Sequence, residues 1–252
     1  MPEIDFNSDV GEGFSLYQAG DDAAVLTHIT SANIACGFHA GDSRTMRHTV
    51  ALAAQLGVAV GAHPGFQDLQ GFGRRLMKLS DDEVYELVVY QVGALMGFTR
   101  AAGVPLRHVK PHGALYNLAA MDRGTADAIC RAVKDIDPGL ILFGLSGSQL
   151  TAAATDCGLK VAHEVFADRT YQQDGTLTPR GQPGAMIEDV TTAVDQVLNM
   201  LHRGEVRTMQ GTWVAVRAET LCIHGDQPGA AAFARSIKHA LLEDGVVIRR
   251  PA

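Results

Sequence analysis

Asp5-Phe6-Asn7-Ser8-Asp9-Val10-Gly11-Glu12 is the segment that separates one architecture from another. Glu3 to Ser8 has strand character, and side chains alternate faces along a strand, so Asp5, Asn7 and Asp9 share one side while Ile4 and Phe6 take the other. A strand with a polar inner face and an apolar outer one suits a (β/α) barrel, with Asp5, Asn7 and Asp9 turned to the interior and Phe6 to the helices. Barrel sites are built where strands end, which puts Asp9 and Glu12 at a candidate site. The competing reading makes Asp9 and Glu12 caps of a following helix.

Outward from this strand, strand and helix patterns alternate to the far end of the chain, as a parallel sheet with crossover helices requires. Further strands are expected at Ile29 to Ala35, Val58 to Ala62, Arg107 to Lys110, Leu140 to Gly144, Lys160 to Glu164, Thr220 to His224 and Val246 to Arg249. Ser80-Asp81-Asp82-Glu83 reads as a capping box opening a helix that stops near Gly103. Other helices run from Ser43 to Gln55, closing on Gly57, and from Ile187 to His202, closing on Gly204. About eight strands without a linker predict a single domain over residues 1–252, a distorted TIM-like barrel, with an open doubly wound sheet as the rival. Thr208 to Arg217 reads as an extra extended piece that breaks the regular repeat.

Composition narrows the functions. Hydrophobic residues make up 46% of the 252 residues and charged ones 19%, which describes a folded globule. The formal charge is -7 and no basic run exceeds a pair, so a nucleic-acid partner is not expected. No apolar stretch is long enough to cross a membrane, and Met1 to Phe6 does not resemble a secretion signal, which makes the cytoplasm the expected compartment. Cys36, Cys130, Cys157 and Cys222 lie far apart, against a structural zinc site or a disulfide framework.

Nearly every strand ends in chemistry. After the second strand, with Asn33 in it, come Cys36, His39 and Asp42; Asp42 reads equally as a helix N-cap, and Cys36 as a small buried apolar residue rather than a nucleophile. His63 ends the third strand and opens a long glycine-rich loop with Arg74 and Arg75, either a grip for an anion or two surface arginines. Lys110 closes the fourth strand ahead of His112, and a lysine at the end of a buried strand is rare unless paired or functional. Glu164, Asp168 and Arg169 follow the sixth strand, and His224 the last full one. No phosphate-cradling glycine loop, G-x-S-x-G elbow or H-E-x-x-H is present. Asp9, His39 and His63 form a candidate set for a divalent metal, since carboxylate and imidazole suit a catalytic ion.

Taken together, DFNSDVGE from Asp5, SANIACGFHAGD from Ser31, GAHPGFQDLQGFGRR from Gly61, VKPHGALYN from Val109, EVFADRTYQQDGTLTPR from Glu164 and CIHGD from Cys222 resemble the LamB/YcsF family. The resemblance spans almost the whole chain in order. It implies a modified barrel of the glycoside hydrolase/deacetylase type, and an ATP-dependent hydrolase that opens the lactam of 5-oxo-L-proline to L-glutamate in a complex with subunits B and C. ATP is then a co-substrate of the complex: a five-membered lactam is resonance-stabilised, and phosphorylating its oxygen makes a better electrophile. On that reading Asp9, with His39 or His63, activates water, and Lys110 and His112 stabilise negative charge. Asn7, Glu12, Asn33, Asp42, Arg75, Glu164, Asp168, Arg169 and His224 surround the substrate, with Arg169 against its carboxylate. Two alternatives stand beside it, a free-standing metal-dependent deacetylase or amidohydrolase, and a non-catalytic subunit that presents substrate to active partners.

Overall fold

The computed structural model describes residues 1–17, 20–224 and 229–251. Along the chain the elements are β1 (Glu3–Val10), α1 (Asp22–Leu26), β2 (Ser31–Ala35), α2 (Ser43–Leu56), β3 (Ala59–His63), α3 (Asp81–Ala101), β4 (Leu106–Val109), α4 (Gly113–Met121), α5 (Arg123–Ile136), β5 (Ile141–Leu145), α6 (Gln149–Cys157), β6 (Lys160–Phe166), α7 (Val190–Arg203), β7 (Glu205–Arg207), β8 (Trp213–Ala215), β9 (Thr220–His224), α8 (Ala230–Glu243) and β10 (Val247–Ile248).

Strands β1 to β6 pair in sequence order, all parallel, and β9 closes the ring between β6 and β1. The barrel therefore has seven strands among the described residues. The expected eighth strand, near Val246 to Arg249, is the short β10, which pairs only with Glu3 and Ile4 at the foot of β1 and takes no place in the ring. The extra extended piece before β9 is half of an antiparallel hairpin, β7 with β8. Among the described residues, no helix is long and apolar enough to cross a membrane.

Local sequence explains the element ends. Ser80 Oγ accepts from the Glu83 backbone while the Glu83 carboxylate accepts from the Ser80 backbone, completing the capping box that starts α3. Gly57 and Gly204 close α2 and α7 in the left-handed conformation. β1 runs two residues beyond Ser8 because Asp9 and Val10 stay in register with Asn33 and Ile34 of β2.

Apolar side chains fill the shell between strands and helices, where Ile4, Phe6, Ile34, Leu95 and Ile129 are fully buried. The barrel interior differs. A small plug of Ile141, Phe143 and Ala162 forms its own apolar cluster, and Phe143 stacks on His108 at 4.2 Å. The rest is polar: Asp5 accepts from the hydroxyls of Thr30, Ser31 and Thr220, and above it Asn7 donates to Glu164 and Thr220. Every one of these groups is paired, which is what allows so polar a column to be buried. Gly61 makes room for it, since a Cβ there would lie 2.0 Å from the His108 ring.

Candidate active site

The polar column opens at the C-terminal ends of the strands into a cavity of about 490 Å³. Its floor is built around Lys110, the first residue beyond β4. The ammonium lies 2.8 Å from Glu164 Oε1 and 3.0 Å from Asp9 Oδ1, and it also donates to Asn7 Oδ1 and Cys222 Sγ. Burial works against this charge, but Asp9 and Glu164 hold the lysine well above its ordinary pKa. Asp9 mirrors it: burial opposes ionisation, yet His63 and Lys110 beside it keep the carboxyl well below the usual range. Asn33 also donates to Asp9 Oδ1, leaving Oδ2 to face His63 Nε2 at 3.2 Å.

Three imidazoles cluster next to this pair. His63 Nδ1 donates to Lys110 O, and its Nε2 lies 3.0 Å from His112 Nδ1. His112 Nε2 donates to Phe72 O, in the loop after β3, while its ring stacks at 3.7 Å on His39. His39 Nε2 is 3.3 Å from Glu12 Oε1. Burial, then the neighbouring imidazoles, lower the pKa of both His39 and His112, which keeps these rings neutral. Gly73, at φ +62, lets the loop reach this stack, because a Cβ would meet His39 and His112 at 2.7 Å.

Guanidinium groups line the cavity as well, those of Arg74, Arg169 and Arg180. Arg169 is buried, with Nη2 donating to Thr178 O and Nε lacking a partner among the described residues. Burial and then Arg180 pull its pKa down to about 10. His224 also lines the cavity and is held by Asp168 Oδ2 at 2.7 Å. Burial opposes charge on Asp168, but His224 keeps its pKa below the usual value.

Asp9, Glu12, His63, Lys110, His112, Arg169 and His224 thus meet at one cavity. Asn7, Asn33 and Glu164 lie beneath it and fix Lys110 and Asp9, and Asp168 acts on His224 from behind. Two expected site residues are placed elsewhere. Arg75 is engaged by Asp68 and is 64% exposed at its side chain, so its neighbour Arg74 faces the cavity instead. Asp42 caps α2 through Thr45 N and also accepts from Ser15 N, the N-cap alternative. His39 stands behind His112 and does not line the cavity. Cys36 is a buried thiol whose pKa burial pushes up to about 12. Gly225 and Asp226, at the end of the CIHGD segment, lie outside the described residues.

Tyr116 was not singled out by sequence. Its hydroxyl donates to Glu164 Oε2 at 2.6 Å and it lines the cavity. The signal was its position four residues after His112, at the start of α4, where i and i+4 share a helix face. Arg180 was visible only as one cation in a long loop. For a metal, Glu12, His39, His63 and His112 each bring one donor atom within 4.8 Å of the others, so Glu12 and His112 join two of the three residues expected from sequence.

Fold and site together define a (β/α) barrel protein with an enzyme-like mouth of acid, imidazole, ammonium and guanidinium groups at its strand ends. The chain belongs to the LamB/YcsF family, whose pattern it matches over residues 4–252. It is 58% identical over 248 residues to the 5-oxoprolinase A subunit of Bordetella pertussis, covering 98% of each chain. The protein of that name from Tolumonas auensis is 56% identical over 249 residues, covering 99% of each. Among solved structures, the lactam utilization protein of Thermus thermophilus superposes with a TM-score of 0.92 at 48% identity, covering 98% of this chain and 99% of that one. A GH113 β-1,4-mannanase shares the barrel alone, with a TM-score of 0.53 at 12% identity over 96% of this chain and 99% of that one.

Proposed function

We propose that this chain is the A component of an ATP-dependent 5-oxoprolinase, working with subunits B and C, and that its barrel carries out the hydrolytic opening of a phosphorylated lactam. The observation that carries the reading is the meeting, in one cavity, of an ionised Asp9 beside His63 and three arginines, in a chain without a phosphate-cradling loop. The relatives' names supply the substrate.

In the proposed chemistry, water adds to the ring carbon that bears the phosphorylated oxygen. Asp9, assisted by His63 whose Nε2 lies 3.2 Å from its Oδ2, receives the water's proton. The ring C–N bond then breaks with its electron pair going to nitrogen, which takes up a proton. A second water hydrolyses the resulting acyl phosphate, releasing glutamate and phosphate. Lys110, whose protons are all directed at protein acceptors, keeps Asp9 ionised, and the anionic charge of substrate and phosphoryl group falls to Arg74, Arg169 and Arg180. The unpartnered Arg169 Nε–H is a donor in want of such an anion.

The test is glutamate release from 5-oxoproline and ATP, by this chain alone and then with its partners. Turnover is expected only with B and C present, and Asp9→Asn is expected to cut it by about 10²–10⁴-fold, the usual contribution of a general base. Turnover by the isolated chain, or an undiminished Asp9→Asn complex, overturns the division of labour.

A further inference from the structure

With every ring neutral, the proton count at the histidine cluster does not close. A neutral imidazole carries one N–H. His63 uses its proton at Nδ1 on Lys110 O, 2.7 Å away, and His112 uses its proton at Nε2 on Phe72 O, 2.8 Å away. The two remaining nitrogens, His63 Nε2 and His112 Nδ1, then face each other at 3.0 Å as two lone pairs. A carboxylate oxygen lies against each of them, Asp9 Oδ2 at 3.2 Å from His63 Nε2 and Glu12 Oε1 at 3.5 Å from His112 Nδ1. On that count four acceptors stand in a buried corner as a chain of close contacts, which a shared cation would satisfy.

We propose that His63 Nε2, His112 Nδ1, Asp9 and Glu12 bind one divalent transition-metal ion. Donors about 2.0–2.2 Å from a common ion stand roughly 2.9–3.5 Å apart, depending on geometry, and the contacts of 3.0, 3.2 and 3.5 Å have that spacing. The rings of His63 and His112 are set at 87°, so both can aim in-plane lone pairs at one point. Each also donates its other N–H to a backbone carbonyl, the outer contact that fixes tautomer and orientation in metal-binding histidines. Two imidazoles and two carboxylates suit an ion of the zinc, cobalt or manganese type. All four residues line the cavity, which gives the ion an entry path.

His39 is excluded from the donor set by orientation. It lies parallel to His112, 4° off at 3.7 Å, so an ion in the plane of one ring lies off the plane of the other. Its Nε2 donates to Glu12 Oε1 instead and so positions that carboxylate. The second convergence of possible donors, Asp9, Cys222 and His224, is spoiled by the Lys110 ammonium 3.0 Å from Cys222 Sγ.

The test uses the full chain, stripped with a chelator and titrated with Co²⁺, followed by calorimetry and by the visible absorption of the bound ion. One site per chain is expected. His63→Gln and His112→Gln are each expected to weaken binding at least about tenfold, the scale on which even outer contacts act, while the exposed His239→Gln leaves it unchanged. Because either cluster variant can misfold, a second measurement uses only the wild type: ¹⁵N-histidine spectra with Zn²⁺, in which His63 Nε2 and His112 Nδ1 shift as directly bound nitrogens. No binding, binding indifferent to both variants, or ring nitrogens unmoved by Zn²⁺ overturns the proposal and leaves a shared proton as the cluster's cation. None of these readouts involves turnover, so the metal proposal and the lactam reading fail separately.

Discussion

Neighbouring arginines show how finely the site depends on single residues. Arg74 and Arg75 are indistinguishable by composition or charge, and only the turn before them decides which reaches the cavity. Phe72 and Gly73 both take positive φ, and the Asp68 carboxylate, which also accepts from Gly71 N, draws Arg75 outward. Arg74→Ala is therefore expected to raise KM for the anionic substrate by about 10- to 100-fold, corresponding to the loss of a charge-assisted hydrogen bond of roughly 1.5–3 kcal/mol. Arg75→Ala should leave KM near the wild-type value, and steady-state kinetics of the assembled complex with the two variants decides between them; equal effects would refute this placement. Lys110, by contrast, was legible, because a lysine at the end of a buried strand requires partners. Those partners were legible only in part. Asp9 and Glu164 stood out as strand-end acids, whereas the Cys222 thiol and Tyr116 carry no sequence mark of the contacts they make.

At the scale of elements, the capping box at Ser80 and the glycines closing α2 and α7 were written locally and could be read locally. Ring closure was not: whether β10 or β9 completes the barrel depends on pairing between residues far apart in the chain, which no local pattern encodes. The polar face of β1 is where local and distant information meet. Asp5, at its base, ties β1 to the hydroxyls of Ser31 on β2 and Thr220 on β9. Burial outweighs these donors and pushes its pKa up from 3.8 to about 6. An acid with a raised folded-state pKa binds its proton more tightly when folded, so its contribution to stability is greatest below about pH 4 and falls as pH rises to about 6. The difference in unfolding free energy between wild type and Asp5→Asn, followed by urea denaturation across this window, is expected to fall by about 3 kcal/mol as pH rises. A flat difference would show that the three hydroxyls fully offset burial.

For the whole molecule, the net charge of -7 and the cavity's arginines act on different length scales. Surface charges repel an approaching anion at long range, and salt screens that repulsion with a Debye length of about 10 Å at 0.1 M. Arg169 is 4% exposed, so its contact with a bound anion is made out of bulk solvent and is screened much less. The asymmetry gives binding an inverted salt response. KM for an anionic substrate should stay level or fall as ionic strength rises from about 10 mM to about 150 mM, because repulsion fades before the local contacts do. Arg169→Leu should raise KM at every salt concentration without changing the direction of the trend. These curves, measured by initial rates of the assembled complex, carry a clear contrary outcome: a steep rise of KM with salt in the wild type would mean that exposed cations at the rim, and not the buried guanidinium, hold the substrate.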